Sequence, residues 1–153
     1  MALETRAGHK DYSGTPLWKK LGIKSGARVV VVGAPTSFAE SLGSLPDGVR
    51  VSSRGGGSSE VDVAVVFATQ MRSLETSADR VAGRLAPDGG LWLAWPKKAA
   101  RVDNTDLVFE NVHAFGLSLG LVDNKSCSID DVFQAMRFVY RLQDRSAVPP
   151  RRR

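Results

Sequence analysis

At 153 residues the chain fits one domain, and its 42% apolar and 24% charged residues are ordinary for a soluble globular protein. A single cysteine, Cys127, excludes an internal disulfide framework and any multi-cysteine metal site. Of the formal charge of +5, Arg151, Arg152 and Arg153 supply three units, so residues 1–150 carry only +2, which argues against a strongly basic nucleic-acid binder.

No run approaches the roughly 18 apolar residues of a membrane span, and the first twenty residues are polar with no apolar signal core. A cytoplasmic chain with no membrane association is expected. Residues 1–11 read as a flexible arm, 12–143 as one domain and 144–153 as a basic disordered tail.

The first predicted element is a short helix. Thr15 is expected to cap it, Pro16 suits its first position, and Gly22 suits its end. Arg28–Val32 is a β-branched run, expected to be a central strand covered on both faces. It ends at Gly33-Ala34-Pro35, followed by one or two helical turns over Phe38–Leu42. Val49–Ser52 is a short second strand, and Arg54–Ser59 (RGGGSS) reads as a flexible linker.

Val61–Phe67 predicts a third, buried strand. Leu74, Ala78, Val81 and Leu85 then repeat at helical spacing, predicting a helix over Ser73–Leu85. The run Pro87-Asp88-Gly89-Gly90 is expected to turn the chain into the strand LWLAWPKK, Leu91–Lys98. Val108, Val112, Phe115 and Leu119 mark another helix, with Asp103 or Thr105 able to cap it and Gly120 closing it. Leu121–Ser128 and Phe133–Leu142 predict an antiparallel pair joined at Asp130-Asp131.

This order predicts an α/β, three-layer Rossmann-like sheet, mostly parallel, with helices on both faces and a C-terminal antiparallel hairpin. Ligands of such open sheets sit outside the carboxyl ends of the strands. That edge would collect Gly33, Ala34 and Pro35, Ser52 and Ser53, Ala68 and Thr69, and Trp95, Pro96, Lys97 and Lys98. The leading end of the first helix, with Gly14 and Thr15, could rise to the same edge.

Two resemblances attach to these residues. Gly26 before strand one, the Pro-Asp-Gly-Gly run before LWLAW and the closing hairpin resemble a class I methyltransferase-type Rossmann fold. The runs Tyr12–Val29 (YSGTPLWKKLGIKSGARV), Leu91–Lys98 and Gly120–Asp130 with Arg137-Phe138-Val139 resemble a bacterial family with no assigned activity, the domain of unknown function 3052. That second likeness spans about Tyr12 to Arg141 and implies the fold without implying a reaction.

The methyltransferase resemblance implies an acid late in strand one, a Gly-x-Gly loop and a ribose-binding acid after strand two. Here Val29–Val32 leads into Gly33-Ala34-Pro35-Thr36, with one glycine and no acid, and Val51 is followed by Ser52-Ser53-Arg54. The superfamily's catalytic motif after the third of these strands also has no counterpart beyond Phe67. These losses set an expectation against ordinary cofactor binding, and no cofactor is named by the residues.

Among single signals, Lys97 and Lys98 follow a strand on a turn stiffened by Pro96, an anion clamp beside Trp95 as a stacking surface or else a solvated turn. Lys19 and Lys20 complement the dipole at a helix end. Gly55-Gly56-Gly57 lacks the ending of a phosphate-cradling loop. His9 and His113 have no Cys, Asp or Glu at metal-ligand spacing. Cys127 reads as a structural thiol. The expectation is therefore a Rossmann-like domain without catalytic apparatus, binding a small anionic ligand or a protein partner at the strand-end edge. The alternatives are a divergent S-adenosylmethionine-dependent methyltransferase and a nucleic-acid accessory tethered by its arginine tail.

Overall fold

The computed structural model describes residues 14–149. The arm at 1–11, Tyr12, Ser13 and Arg151–Arg153 lie outside the described residues. The elements run α1 (Leu17–Lys20), β1 (Arg28–Val32), α2 (Phe38–Leu42), β2 (Arg50–Ser52), β3 (Val61–Phe67), α3 (Met71–Ala82), β4 (Leu85–Pro96), α4 (Phe109–Ser118), β5 (Val122–Ser128) and β6 (Phe133–Val139). Short 3-10 turns follow at Lys98–Ala100 and Leu142–Ala147, the latter extending past residue 144, where the basic tail is expected to begin.

The six strands order as β2-β1-β3-β4-β6-β5, with β2, β1, β3 and β4 parallel. The closing hairpin does more than pair with itself. β6 inserts between β4 and β5 and runs antiparallel to both. Asp130 sets its turn, its Oδ1 accepting from the backbone N–H groups of Val132 and Phe133 at 2.8 and 2.7 Å. The mixed Rossmann-like sheet expected from the strand and helix order is the observed fold.

Side-chain alternation divides the core into two layers. Leu91, Leu93 and Trp95 of β4 join Ala64 and Val66 of β3, Met136 and Phe138 of β6, and Leu74, Val81 and Val112 of α3 and α4. Trp92 and Ala94 face the other way, with Val63, Val65 and Phe67 of β3, Phe38 and Leu42 of α2, and Leu21 and Ile23 after α1. Gly116 lets α4 lie directly on the sheet, since a Cβ there would run into the Phe138 ring.

Four local expectations are corrected. Pro16, rather than Thr15, occupies the N-cap position of α1; its carbonyl accepts from Lys19 and Lys20 and no side chain caps that position. Helix α3 begins at Met71, whose N–H donates to Asp106 Oδ1 at 2.7 Å, and it ends before Gly83 instead of reaching Leu85. Neither Asp103 nor Thr105 caps α4; Asn111 Oδ1 accepts from the Val108 N–H at its start. The Pro87–Gly90 run lies inside β4, where Val61 pairs with Leu85 but Val63 pairs with Gly90. Two steps along β3 thus match five along β4, and the turn-forming residues emerge as a wide irregularity within one strand.

The RGGGSS stretch is also more than a linker. Arg84 is buried, with 8% of its surface exposed. Its Nε donates to the Ser59 carbonyl at 2.8 Å, and Nη1 points to the carbonyls of Arg54, Gly55 and Gly56 at 3.1–3.2 Å. One planar guanidinium therefore gathers the loop that links β2 to β3.

Candidate functional site

Parallel pairing brings the carboxyl ends of β2, β1, β3 and β4 to one edge, and two of the cavities among the described residues open there. The first, about 470 Å³, lies beyond β1 and β2. Its walls include Gly33, Ala34, Pro35 and Thr36 after β1, the apolar Phe38 and Leu42 of α2, and Ser52 and Ser53 at the end of β2. Gly33 turns the chain with φ of 73°, and a Cβ there would come within 2.6 Å of the Phe67 carbonyl oxygen. Only glycine serves both the left-handed backbone and the close approach of β1 to β3.

The second cavity, about 450 Å³, lies beyond β4 and collects Trp95, Pro96, Lys97 and Lys98 with Arg101, Leu107, Val108 and Phe109. Both volumes fall within the roughly 300–1,000 Å³ of small-molecule sites. Val108 and Phe109 are each 52% exposed and form an apolar lip on this cavity. The loop that forms this wall holds two non-glycine residues at positive φ, Arg101 at 51° and Asn104 at 62°. Such conformations cost free energy and concentrate at ligand-handling sites.

Individual roles differ from expectation. Trp95 is only 5% exposed and belongs to the core layer under α3 and α4, so it forms cavity floor rather than an open stacking surface. Lys97 is held in place: its Nζ donates to Ser128 Oγ at 2.6 Å and its backbone N–H to the Val132 carbonyl. Lys98, on the adjoining 3-10 turn, is exposed at the rim of the cavity. Gly14 and Thr15 line neither cavity.

A pair not anticipated from sequence joins α4 to β5. His113 Nε2 meets Asp123 Oδ1 at 2.9 Å, and its ring stacks on Phe109 with centroids 5.4 Å apart. The hydrogen bond from His113 holds the Asp123 carboxyl below the usual carboxylate range. The Phe109–His113 spacing of four was a local signal for that stack; Asp123, on another element, had none. Burial pushes the Cys127 thiol from 9.0 up to about 11, against the opposing charges of Lys20 and Lys97, so at neutral pH it is a protonated, weakly reactive group. Among the described residues no group of three or more His, Cys, Asp or Glu is arranged to hold a metal ion, and no helix is long and apolar enough to cross a membrane.

The fold is that of class I methyltransferases. The chain superposes on a TehB-like SAM-dependent methyltransferase from Corynebacterium glutamicum with a TM-score of 0.52 and 11% identity, over 81% of this chain and 85% of the other. A precorrin-6y C5,15-methyltransferase from Geobacter metallireducens gives 0.57 and 11% over the same shares. The N-methyltransferase NodS from Bradyrhizobium japonicum gives 0.54 and 18%, over 74% and 85%. No protein-family model and no curated protein matches the chain. These neighbours correct the expectation of a domain without catalytic apparatus and the leaning away from an enzyme, since these three solved structures of the same architecture are methyltransferases. At such identities the likeness shows the fold.

The donor set of the β1–β2 cavity suits an adenosyl group in kind. It offers apolar walls for a flat base, a glycine turn for close backbone approach, and the hydroxyls of Thr36, Ser52 and Ser53 for a ribose. It offers no carboxylate. Ser52 Oγ already accepts from the Arg54 N–H at 3.1 Å, which leaves its own proton available to donate.

Proposed function

We propose that this chain is a divergent S-adenosylmethionine-dependent methyltransferase. The observation that carries the reading is the glycine turn at Gly33, set at the carboxyl end of β1 beside a cavity of about 470 Å³ in a methyltransferase-type sheet. Gly33, Ala34 and Pro35 with Ser52 and Ser53 would hold the adenosyl half, and the bound cofactor would supply an electrophilic methyl group. The cavity of Trp95, Pro96, Lys97 and Lys98 would receive the acceptor. There, Leu107, Val108 and Phe109 would cover an apolar body while Lys98 and Arg101 attract an acidic group on it.

Hydroxyls in place of a ribose-binding carboxylate have a direct consequence. Loss of one charge-assisted hydrogen bond, about 1.5–3 kcal/mol, weakens binding roughly ten- to hundred-fold. Calorimetry with S-adenosylhomocysteine should show saturable but weak binding that tightens about tenfold in Ser53→Asp. No heat at millimolar cofactor in either protein would end the reading.

Membership of the family called domain of unknown function 3052 is part of this proposal, resting on the runs at Tyr12–Val29, Leu91–Lys98 and Gly120–Asp130 with Arg137-Phe138-Val139. So is a cytoplasmic setting, supported by a lone cysteine that is free.

A further inference from the structure

The opposite edge of the sheet, where the parallel strands begin, holds a third cavity of about 450 Å³. It does not depend on the methyltransferase reading. Four cations from separate parts of the chain converge on it: Lys20 at the end of α1, Lys24 in the loop before β1, Lys125 of β5 and Arg137 of β6. Two carboxylates, Asp62 and Asp88, share the lining, so among the described residues cations exceed carboxylates by two.

The space is made by the irregular start of β4. A Cβ on Gly90 would run into the Arg137 guanidinium, and one on Gly89 would sit 2.8 Å from the Asp62 carbonyl oxygen. The glycines of the Pro87–Gly90 run thus seat an arginine against the sheet. Arg137 Nε is shut off from water with no hydrogen-bond partner. Nε faces the Gly90 backbone, so an anion in the cavity would meet the rest of the half-buried guanidinium that lines it. The charge of that guanidinium is disfavoured by burial and by nearby Arg145, with Asp88 offsetting part of this.

We propose that this cavity binds the phosphate ester of a small hydroxylated molecule, the phosphate on Arg137, Lys125 and Lys24 and the hydroxyls on the Asp88 carboxylate. A phosphate monoester is close to a dianion at neutral pH, which matches the excess charge. Arginine recognises its oxygens in pairs, and lysines add point charges. Inorganic phosphate would fill only part of the volume; the ester's hydroxylated body accounts for the remainder and for the carboxylate wall.

The test uses the whole chain and ribose 5-phosphate as probe, titrated by calorimetry. Saturable binding is expected, with inorganic phosphate competing. Arg137→Gln and Lys125→Met should each weaken it at least about tenfold. Because Arg137 is half-buried, the exposed Lys125→Met keeps the test valid if the arginine variant does not fold. Binding of S-adenosylhomocysteine, where present, should be unchanged in Lys125→Met, which separates failure of this site from failure of the methyltransferase reading. Absence of saturable binding at about 10 mM probe, a level that detects even millimolar affinity, would overturn the assignment. So would binding that survives both Lys24→Met and Lys125→Met, or malate competing as well as phosphate. Displacement by a short oligonucleotide with a steep salt dependence would give the surface to a polyanion instead.

Discussion

The indole Nε1 of Trp92 donates to the backbone carbonyl of Leu21 at 3.0 Å, across 71 residues of sequence and in the interior of the protein. Trp92 is 1% exposed and Leu21 is fully buried. The bond ties the middle of β4 to the chain as it leaves α1, and so holds the segment Gly22–Ala27 over the sheet. That segment walls the basic cavity on one side, while β4 delivers Trp95 to Lys98 to the other edge. One strand therefore serves both candidate sites, and its register matters at both ends.

Trp92→Phe keeps an aromatic ring in the core but removes the donor, leaving the Leu21 carbonyl buried and unpaired. The expected cost is about 1–3 kcal/mol in urea unfolding at unchanged m-value. A loss below about 0.3 kcal/mol would mean that the carbonyl finds another partner and the tie is not structural.

Arg84→Met should release the loop at residues 54–59. Four carbonyls lose their donor, so amide exchange across that loop should rise and stability should fall by about 2–3 kcal/mol. Arg84→Lys should not rescue it, because a single ammonium cannot reproduce a planar fork that serves Ser59 through Nε and three other carbonyls through Nη1. Full rescue by lysine would show that charge alone orders the loop.

What could be read from sequence was set by local periodicity. Val61–Phe67 and Arg28–Val32 are valine-rich runs, and both form strands over those residues. Once the strands were parallel, the ligand edge followed from topology, and the clustering of Trp95 to Lys98 in one cavity followed from that. The remainder depended on partners distant in sequence. Met71 starts α3 because Asp106 accepts its N–H, 35 residues away. Pro87–Gly90 carries turn chemistry, yet pairing with β3 draws it into a strand. Arg84 follows a helix with no local mark of the loop it gathers, and Lys97 looked like a free clamp until Ser128 was brought beside it. The basic cavity has no signal in the sequence because its four cations lie in four separate segments, none of which points to the others.

Cys127 provides a pH-dependent test of the packing between β5, β6 and α1. With its thiol pushed from 9.0 to about 11 by burial, the folded state prefers the protonated form. The sign follows: this contribution to stability is fully present below the unfolded value and is lost as pH rises through about 11. At pH 9, roughly one thiol in a hundred is ionised in the folded chain, against about half in the unfolded one. Alkylation by iodoacetamide should therefore be some fifty-fold slower in the native protein at that pH. Its rate should keep climbing towards pH 11, provided the fold persists. A native rate that levels off near pH 9 would mean that Cys127 is open to solvent, and that the hairpin packs against α1 less closely than the buried Ala135 and Ile129 around it imply.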